Sequence, residues 1–313
     1  MTPKAGSLIQ VVEEETDSLS SESQSGSGAK AGRRSDRTNV LGIEVDAVDL
    51  PEALARIEDA LKTRRKGYVC MAGVHGIMEA QRRLDVLRSY AGSFMTLPDG
   101  RPTVWVGRLQ GHQAIRQVTG PDLMVEIFRH KQFAGYRHFL YGGKPGVAED
   151  LAKRFSRQFP WAQIVGTYTP PFRDLTLLEE RGLISMLRAL QPSLIWVGIS
   201  TPRQELFMRR YLPVLDTTLM FGVGAAFDFH TGRIRDCADW IKRLGLQWLH
   251  RLIQDPRHLL WRYLRNNPAF LWQIGLQLTA LRTYEVAVDT MDPKQHDKSD
   301  CKTSADLCTP SCS

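Results

Sequence analysis

The 313-residue sequence is poor in cysteine, and its five cysteines form no pattern typical of a metal site or a disulfide framework. Cys70 and Cys237 are isolated in the sequence. The other three lie in a polar C-terminal segment that contains no C-x-x-C motif: Cys301, Cys308 and Cys312. A reducing, cytoplasmic environment is the simplest expectation, and we predict no bound metal and no cofactor.

Long hydrophobic runs are also missing. The first forty residues contain no apolar segment of the kind that a secretory signal requires. No stretch reaches the roughly 18 uninterrupted apolar residues of a membrane span. The nearest candidate, residues 269–281, is interrupted by Gln273 and Gln277. We therefore expect a protein that does not cross a membrane.

Several signature motifs of common enzyme classes do not occur. There is no G-x-G-x-x-G, which argues against a nucleotide-dependent oxidoreductase, and no Walker A loop. There is no G-x-S-x-G elbow of a serine hydrolase. There is also no D-x-D pair of the kind that holds a metal-bridged diphosphate. A diphosphate ligand would have to be neutralised by helix N-termini and arginines.

The composition is that of a globular protein with basic character. Hydrophobic residues make up 42% of the chain, and the net charge is +7. This charge favours an anionic partner, such as nucleic acid, anionic lipid or a phosphorylated substrate. Residues 1–38 and 289–313 are too polar to bury a core, and we predict that both are disordered tails.

Between these tails, segments with strand and helix patterns alternate, beginning with LGIEV and ending with TLMFGVG. This alternation predicts an α/β domain with a parallel sheet over residues 39–234. Residues 235–288 read as helices only, rich in Arg and Trp, and Pro256 and Pro268 divide them into three predicted segments. We interpret this region as a helical C-terminal appendage.

Polar residues stand at the ends of three predicted strands. Asp99 lies in LPDG, where it either shapes a turn or faces a ligand. The stretch STPRQE carries Thr201, Gln204 and Glu205; helix capping explains the first and the last but not the glutamine. Asp228 lies between two phenylalanines, as a structural carboxylate or as a ligand for a ribose or a base. The carboxyl ends of parallel strands are the usual ligand site of such sheets.

Three further features are weaker candidates. The turn YGGKPG places Gly142 and Gly143 before a helix, as a phosphate cradle or as an ordinary strand–helix turn. His75 follows a strand end and is either catalytic or structural. The appendage arginines form either a solvated face or a surface for anionic lipid or a diphosphate: Arg251, Arg257, Arg262 and Arg265.

Seven motifs occur in an order and spacing that resemble the WecG/TagA/CpsF family of bacterial glycosyltransferases (glycosyltransferase family 26), over about residues 39–270. They are LPDGRP, GPDLM, FLYGGKPGVAE, IVGTYTPPF, IWVGISTPRQE, FGVGAAFDFHTG and GLQWLHRL with the following P and RYL. The resemblance implies a Rossmann-like domain with the family's own (GT-E type) topology and a membrane-binding basic appendage. It also implies a metal-independent, inverting transfer from a UDP-sugar to a polyprenyl-diphosphate-linked sugar at the inner face of the cytoplasmic membrane.

The resemblance implies roles for individual residues. Asp99 corresponds to the general base, and His75 is a second catalytic candidate. Gln204 and Asp228 correspond to residues that bind the nucleotide-sugar, and the appendage arginines correspond to residues that bind the diphosphate or the membrane. We assign substrate binding to Gly73, Gly100, Arg116, Gly142, Gly143, Thr201, Gln204, Glu205 and Asp228.

The sequence departs from the family pattern at four places. Met71-Ala72-Gly73 replaces the usual Thr-x-Asn, so that His75 is a candidate substitute for the lost amide. The usual arginine before the GPDLM motif is displaced to Arg116. Cys237-Ala238 replaces Ala-Pro, and Gln247 replaces a glutamate. These differences leave the choice of donor and of acceptor open. For the donor, an N-acetylmannosamine type and a glucose or glucuronate type both stay open, and a role in exopolysaccharide synthesis stays open with them.

Two alternatives from other classes remain. The basic charge allows a nucleic-acid-binding protein, but the basic residues are interleaved with Leu and Trp rather than set on an aromatic sheet face, so we expect no nucleic-acid partner. A non-catalytic protein that binds a UDP-sugar is the other alternative. A homo-oligomer is compatible with the sequence.

Overall fold

A computed structural model describes residues 36–235, 237–238, 241 and 247–289 of the chain. The predicted tails, apart from a few residues at their inner ends, lie outside these ranges, as do the three C-terminal cysteines. The centre of the fold is a six-stranded, wholly parallel sheet in the order β4-β3-β8-β7-β5-β6. Its strands are β3 (Gly67–Met71), β4 (Met95–Leu97), β5 (Arg137–Gly142), β6 (Gln163–Tyr168), β7 (Leu194–Gly198) and β8 (Leu219–Gly222).

An antiparallel hairpin precedes the sheet. Its strands β1 (Arg37–Val40) and β2 (Ile43–Asp46) are joined by a two-residue turn with φ values of 52° at Leu41 and 84° at Gly42. Two consecutive positive φ angles are typical of the turns that suit the twist of a hairpin. The sequence analysis recognised only the second strand. The segment RTNV is mostly polar and has no pattern that predicts a strand. It is recognised as a strand only in the structure, where it pairs with β2.

Helices connect the strands and cover both faces of the sheet. They are α1 (Leu50–Lys62), α2 (Val74–Ala80), α3 (Leu84–Ala91), α4 (Arg101–Leu109), α5 (Gly120–Arg129), α6 (Val147–Gln158), α7 (Leu177–Leu190), α8 (Arg203–Tyr211), α9 (Ala226–His230), α10 (Gln247–Gln254) and α11 (Pro256–Leu278). The predicted α/β architecture with a parallel sheet is therefore confirmed.

Some predicted boundaries differ from the structure. The segment IMEAQRRLDVLRSYA (77–91) has a pattern that predicts one helix, but the structure has two helices there, because the backbone is extended at Arg83 (φ −134°). Helices α4 and α9, which directly follow β4 and β8, were not predicted from the sequence. The predicted break at Pro268 is wrong, since α11 continues through it. A proline inside a helix removes one hydrogen bond, and the packing of buried Phe270 and Ile274 against the core offsets this loss.

Alternating side chains along each strand pack into two separate cores, one on each face of the sheet. In β7, Leu194 and Trp196 point to one core, while Ile195 and Val197 point to the other. Trp196 Nε1 donates a hydrogen bond to Nδ1 of buried His138 (3.2 Å). Burial lowers the pKa of His138 to about 3, so this histidine remains a neutral structural residue. A sheet covered on both faces leaves its carboxyl edge as the place where polar side chains meet a ligand.

Candidate active site

A cavity of about 650 Å³ opens at the carboxyl ends of β3, β4, β7 and β8. Its walls are completed by α4 on the core and by α10 and α11 of the appendage. Its volume lies within the range of small-molecule sites. Eight of the residues predicted for the site line it: Gly73, His75, Asp99, Gly100, Thr201, Gln204, Arg251 and Arg262.

Asp99 sits two residues beyond β4, on a turn that its surroundings hold in place. The Gln117 side chain donates to the carbonyl oxygen of Asp99 (2.8 Å), and the backbone N–H of Val118 donates to Pro98 (3.0 Å). The carboxylate is partly exposed to the cavity. Burial within the cavity walls raises its pKa to about 6, against the opposing effects of Arg251 and of the Gly120 N–H. A carboxylate of this pKa is suited to accept a proton near neutral pH.

Glycines keep the space around this carboxylate open. A Cβ atom on Gly73 would lie 3.2 Å from Asp99 Oδ2. A Cβ atom on Gly120 would lie 2.8 Å from the Val223 carbonyl oxygen, so only glycine lets this N–H approach Asp99. The glycine that replaces the family's usual amide therefore leaves room beside the candidate base for a reacting group.

Gln204, Glu205 and Thr201 form a buried network beneath the cavity. The Gln204 amide accepts from the Gly224 N–H (3.0 Å) and donates to the Gly222 carbonyl (3.1 Å) and to Glu205 Oε1 (3.0 Å). Thr201 Oγ1 also donates to Glu205 Oε1 (2.9 Å). Burial raises the pKa of Glu205. These contacts hold the loop after β8 against the start of α8, and Gln204 uses both ends of its amide for that purpose.

Two appendage arginines face the cavity. Arg251 lies with its guanidinium over the Phe229 ring (5.4 Å to the centroid), close enough to Asp99 to lower the pKa of that carboxyl. Arg262 lies over Tyr263 (5.6 Å), and its buried Nε has no hydrogen-bond partner among the described residues. A buried guanidinium N–H without a partner is costly, which suits a site that an anionic ligand completes. Arg257 and Arg265 are exposed and lie outside the cavity lining.

The remaining predicted residues lie apart from the cavity lining. Arg116 is exposed, and its guanidinium donates to the Gln113 carbonyl (2.6 Å). Gly142 and Gly143 have positive φ, and a Cβ on Gly142 would lie 2.5 Å from the Gly198 carbonyl oxygen. These glycines allow β5 and β7 to approach closely. Asp228 is partly buried in α9.

His75 connects the core to the appendage. Its Nδ1 lies 3.1 Å from Asn266 Nδ2, and the backbone of Thr201 is near enough to the ring to raise its pKa slightly. Arg82 donates to Asn266 Oδ1 (2.8 Å). Burial, followed by the charge of Arg262, lowers the pKa of His75.

The sequence analysis missed several residues of the cavity. Gln117 and Gly120 support Asp99, and the GPDLM motif contained a signal for the second of them. Trp105 of α4 lines the cavity although α4 itself was not predicted. Asn266 carried no signal, because a single Asn in a helix pattern has no visible partner before the chain is folded.

The described part of the chain has neither a metal-binding cluster nor a membrane-spanning helix. No three His, Cys, Asp or Glu side chains there are grouped so that they could hold a metal ion. None of the helices described is long and apolar enough to cross a membrane.

Comparisons with known proteins agree with the geometry. Residues 38–284 match the model of the glycosyl transferase WecG/TagA/CpsF family. A protein of Bacillus subtilis (strain 168), named N-acetylglucosaminyldiphosphoundecaprenol N-acetyl-beta-D-mannosaminyltransferase, is 29% identical over 181 residues, which is 58% of this chain and 66% of the relative, slightly under two thirds of its length. A protein of the same name from Bacillus spizizenii (strain ATCC 23059 / NRRL B-14472 / W23) is 24% identical over 231 residues, covering 73% of this chain and 87% of the relative. This chain therefore belongs to the WecG/TagA/CpsF family of glycosyl transferases.

Proposed function

We propose that this protein transfers an N-acetylmannosamine-type hexosyl group from a UDP-sugar to a polyprenyl-diphosphate-linked sugar, with inversion and without a metal ion. The names of the two relatives support this donor and a lipid-linked acceptor. They give no support to the glucose or glucuronate donor that the sequence left open. The product would belong to a lipid-linked, cell-surface polysaccharide.

The observation that carries the proposal is the carboxylate of Asp99, which has a pKa of about 6 and faces a cavity that two arginines of the appendage also line. In the proposed step, Asp99 accepts the proton of the acceptor hydroxyl. The hydroxyl oxygen forms a bond to C1 of the donor sugar, and the bond from C1 to the diphosphate oxygen breaks, so that UDP leaves with the electron pair. Because attack and departure occur on opposite sides of C1, the anomeric centre inverts.

Arg251 and Arg262 supply the positive charge for a diphosphate. Both reach the cavity from the appendage, and guanidinium groups bind phosphate oxygens through pairs of parallel hydrogen bonds. Charge that develops on the departing UDP is stabilised by such preorganised donors. This arrangement supports a transfer that needs no divalent cation.

The appendage also supports a location on the inner face of the cytoplasmic membrane. Large apolar side chains of α10 and α11 are exposed to solvent, among them Trp261 (73%) and Trp272 (70%). Exposed Arg257 and Arg265 lie on the same helix. Exposed tryptophans beside arginines suit the headgroup region of an anionic bilayer. An acceptor anchored in that bilayer would then meet the cavity at its mouth.

The test is a transfer assay with a panel of UDP-sugars and a short polyprenyl-diphosphate-sugar acceptor in the presence of EDTA. We expect acceptor-dependent UDP release with an N-acetylmannosamine donor and a loss of about 10² to 10⁴-fold in Asp99→Asn, which is the usual contribution of a general base. The control is Asp216→Asn, an exposed carboxylate just before β8, at the opposite edge of the sheet.

Two results would contradict the proposal. UDP binding without release from any donor would indicate a non-catalytic binding protein. Full activity in Asp99→Asn would show that another group accepts the proton. Release that requires a divalent cation would overturn the metal-independent step alone.

A further inference from the structure

A chain of hydrogen bonds joins the appendage to the core beside the cavity. Arg82, between α2 and α3, contacts Glu79 Oε1 (2.7 Å) and Asn266 Oδ1 (2.8 Å). Asn266 Nδ2 in turn contacts His75 Nδ1 (3.1 Å). Asn266 is 3% exposed, so its contacts with Arg82 and His75 are largely shielded from water, whereas the contact between Arg82 and Glu79 is exposed.

The contacts define which atom donates at each step. Arg82 has only donors, so Asn266 Oδ1 must be its acceptor, and Asn266 Nδ2 must therefore donate to His75 Nδ1. The neutral His75 then carries its proton on Nε2. The lone pair of Nδ1 accepts from Asn266, so the neutral ring has no lone pair left for the proton of an acceptor hydroxyl.

The position of Asn266 on α11 determines which part of that helix its hydrogen bonds fix to the core. Arg262 lies one helical turn before Asn266 on the same face, and among the residues of α11 that line the cavity it is the one with a cationic side chain. Beyond Asn266, the same face continues with buried Phe270 and Ile274 and with Gln277, which contacts Asn39 and Leu41 of the hairpin. The far half of α11 is therefore held by Phe270, Ile274 and Gln277. In the half that begins α11, Leu259 is buried, and Asn266 supplies hydrogen bonds to the core.

We infer that His75, Asn266 and Arg82 form a latch that holds the cavity end of α11 against the core and so places Arg262 at the proposed diphosphate site. In this role His75 is a positioning residue and does not accept the proton in catalysis. The role of Arg262 rests on the proposed function. The docking of α11 does not.

The latch responds to the protonation of His75. A proton on Nδ1 would point at the N–H groups of Asn266, and two donors do not form a hydrogen bond. The amide cannot flip to offer its oxygen to His75, because its N–H groups would then face the Arg82 guanidinium, which also has only donors. The charged groups around the ring are Arg262 from α11 and Arg82 and Glu79 from the core, and Thr201 contributes its backbone. Because burial lowers the pKa of His75, the latch is closed at neutral pH. It weakens progressively as the pH falls below about 6.5, the value of a free histidine, toward the lowered pKa of the buried ring.

The first measurement is hydrogen exchange of the full-length protein without substrate. His75→Leu removes the acceptor for Asn266, and we expect exchange at residues 257–266 to be about tenfold faster while residues 270–277 are unchanged. His75→Asn keeps an acceptor oxygen near the position of Nδ1 and cannot take up a proton. It should restore protection and abolish the acid-induced opening seen in the natural protein. The control is His130→Leu, on the exposed end of α5.

The second measurement is a double-mutant cycle in the transfer assay, with His75→Leu and Arg262→Gln. If the latch acts through Arg262, each single variant should lose about tenfold in kcat/KM, and the double variant should lose no more than Arg262→Gln alone. His75→Asn should stay within a factor of about three of the natural protein.

The outcomes are distinct. Unchanged exchange in His75→Leu would overturn the latch, whatever the reaction. If His75→Asn is inactive but exchanges normally, His75 acts in the chemistry and not as a positioning residue. If the losses of His75→Leu and Arg262→Gln add up in the double variant, His75 does not act through Arg262. Faster exchange in a protein that transfers no sugar would support the latch and contradict the proposed function.

Discussion

Asp99 combines two properties that a general base needs, and each has a separate physical origin. Its position comes from the turn after β4, which Gln117 and Val118 hold through backbone contacts. Its proton affinity comes from the cavity, because burial raises the pKa to about 6 although Arg251 favours the charged form. At neutral pH most of the carboxylate is ionised, yet it still binds a proton more strongly than an aspartate in water.

This pKa predicts an acid limb in the rate profile. Only ionised Asp99 accepts the proton, so kcat/KM should rise with pH through about 6 and level off above it. A pH–rate profile with a soluble acceptor checks this. His75→Asn should keep the limb, and a profile without inflection between about pH 5 and pH 7 would contradict the assignment of the base.

The buried Nε of Arg262, which has no hydrogen-bond partner among the described residues, predicts a second effect. Arg262→Gln should lower kcat/KM by about 10 to 100-fold, since a hydrogen bond to a charged group contributes about 1.5–3 kcal/mol. Steady-state kinetics with varied donor concentration measures the loss. The matched control is Arg188→Gln on the surface of α7, which should leave the rate unchanged. An equal loss in both variants would mean that general charge, rather than the site, is responsible.

At the scale of elements, the shape of the sheet's carboxyl edge depends on how closely the loops that follow its strands approach each other. The turn after β5 passes directly over the end of β7, where Gly142 has a φ of 132° and lies against Gly198. The YGGKPG motif is explained by this close approach whether or not the turn also contacts a ligand. Its glycines allow the edge to close beside the cavity.

Gly142→Ala should therefore destabilise the fold. The new Cβ would lie 2.5 Å from the Gly198 carbonyl oxygen at a φ that side chains rarely adopt, and we expect a loss of about 1–3 kcal/mol in the free energy of unfolding. Denaturant unfolding measures it. Gly182→Ala in α7, where nothing lies within 4 Å, is the control and should be neutral or up to about 1 kcal/mol more stable. Equal stability of Gly142→Ala and the natural protein would contradict the role of the close approach.

At the scale of the whole molecule, the distribution of charge and exposed apolar surface predicts where the protein acts. The net charge is +7, and exposed tryptophans and leucines are frequent on α10 and α11. A second exposed apolar group, Phe172, Leu177 and Leu178, follows β6 at the outer edge of the sheet. The two regions allow a direct comparison, since only the first surrounds the cavity.

The comparison is a vesicle-binding assay. Trp261→Ser with Trp272→Ser should weaken binding to anionic vesicles about tenfold or more, because a buried aromatic side chain contributes about 1.5–3 kcal/mol. Phe172→Ser with Leu178→Ser should leave binding unchanged. Binding should also fall with salt, as electrostatic attraction to a lipid surface does. Equal effects of the two double variants would contradict a membrane role of the appendage.

The sequence was sufficient for the architecture and for the candidate base. Alternation of strand and helix patterns is a local property, and a parallel sheet is what such a chain forms. The rule that strand ends meet at one edge of the sheet needs no coordinates, and it placed Asp99 at a ligand site. Its role as a base was implied by the resemblance to the family, whose model matches residues 38–284.

The tertiary structure decided which polar residues share the cavity and which serve the fold. Gln204 reads as a ligand residue in the sequence, yet its amide is bonded to Gly222 and Gly224. His75 reads as a catalytic candidate, yet its partner Asn266 is 191 residues away. Hydrogen-bond partners so distant along the chain leave no periodic or local trace. Only folding, which brings α11 beside α2, determines whether such a side chain is free to react or is held in place.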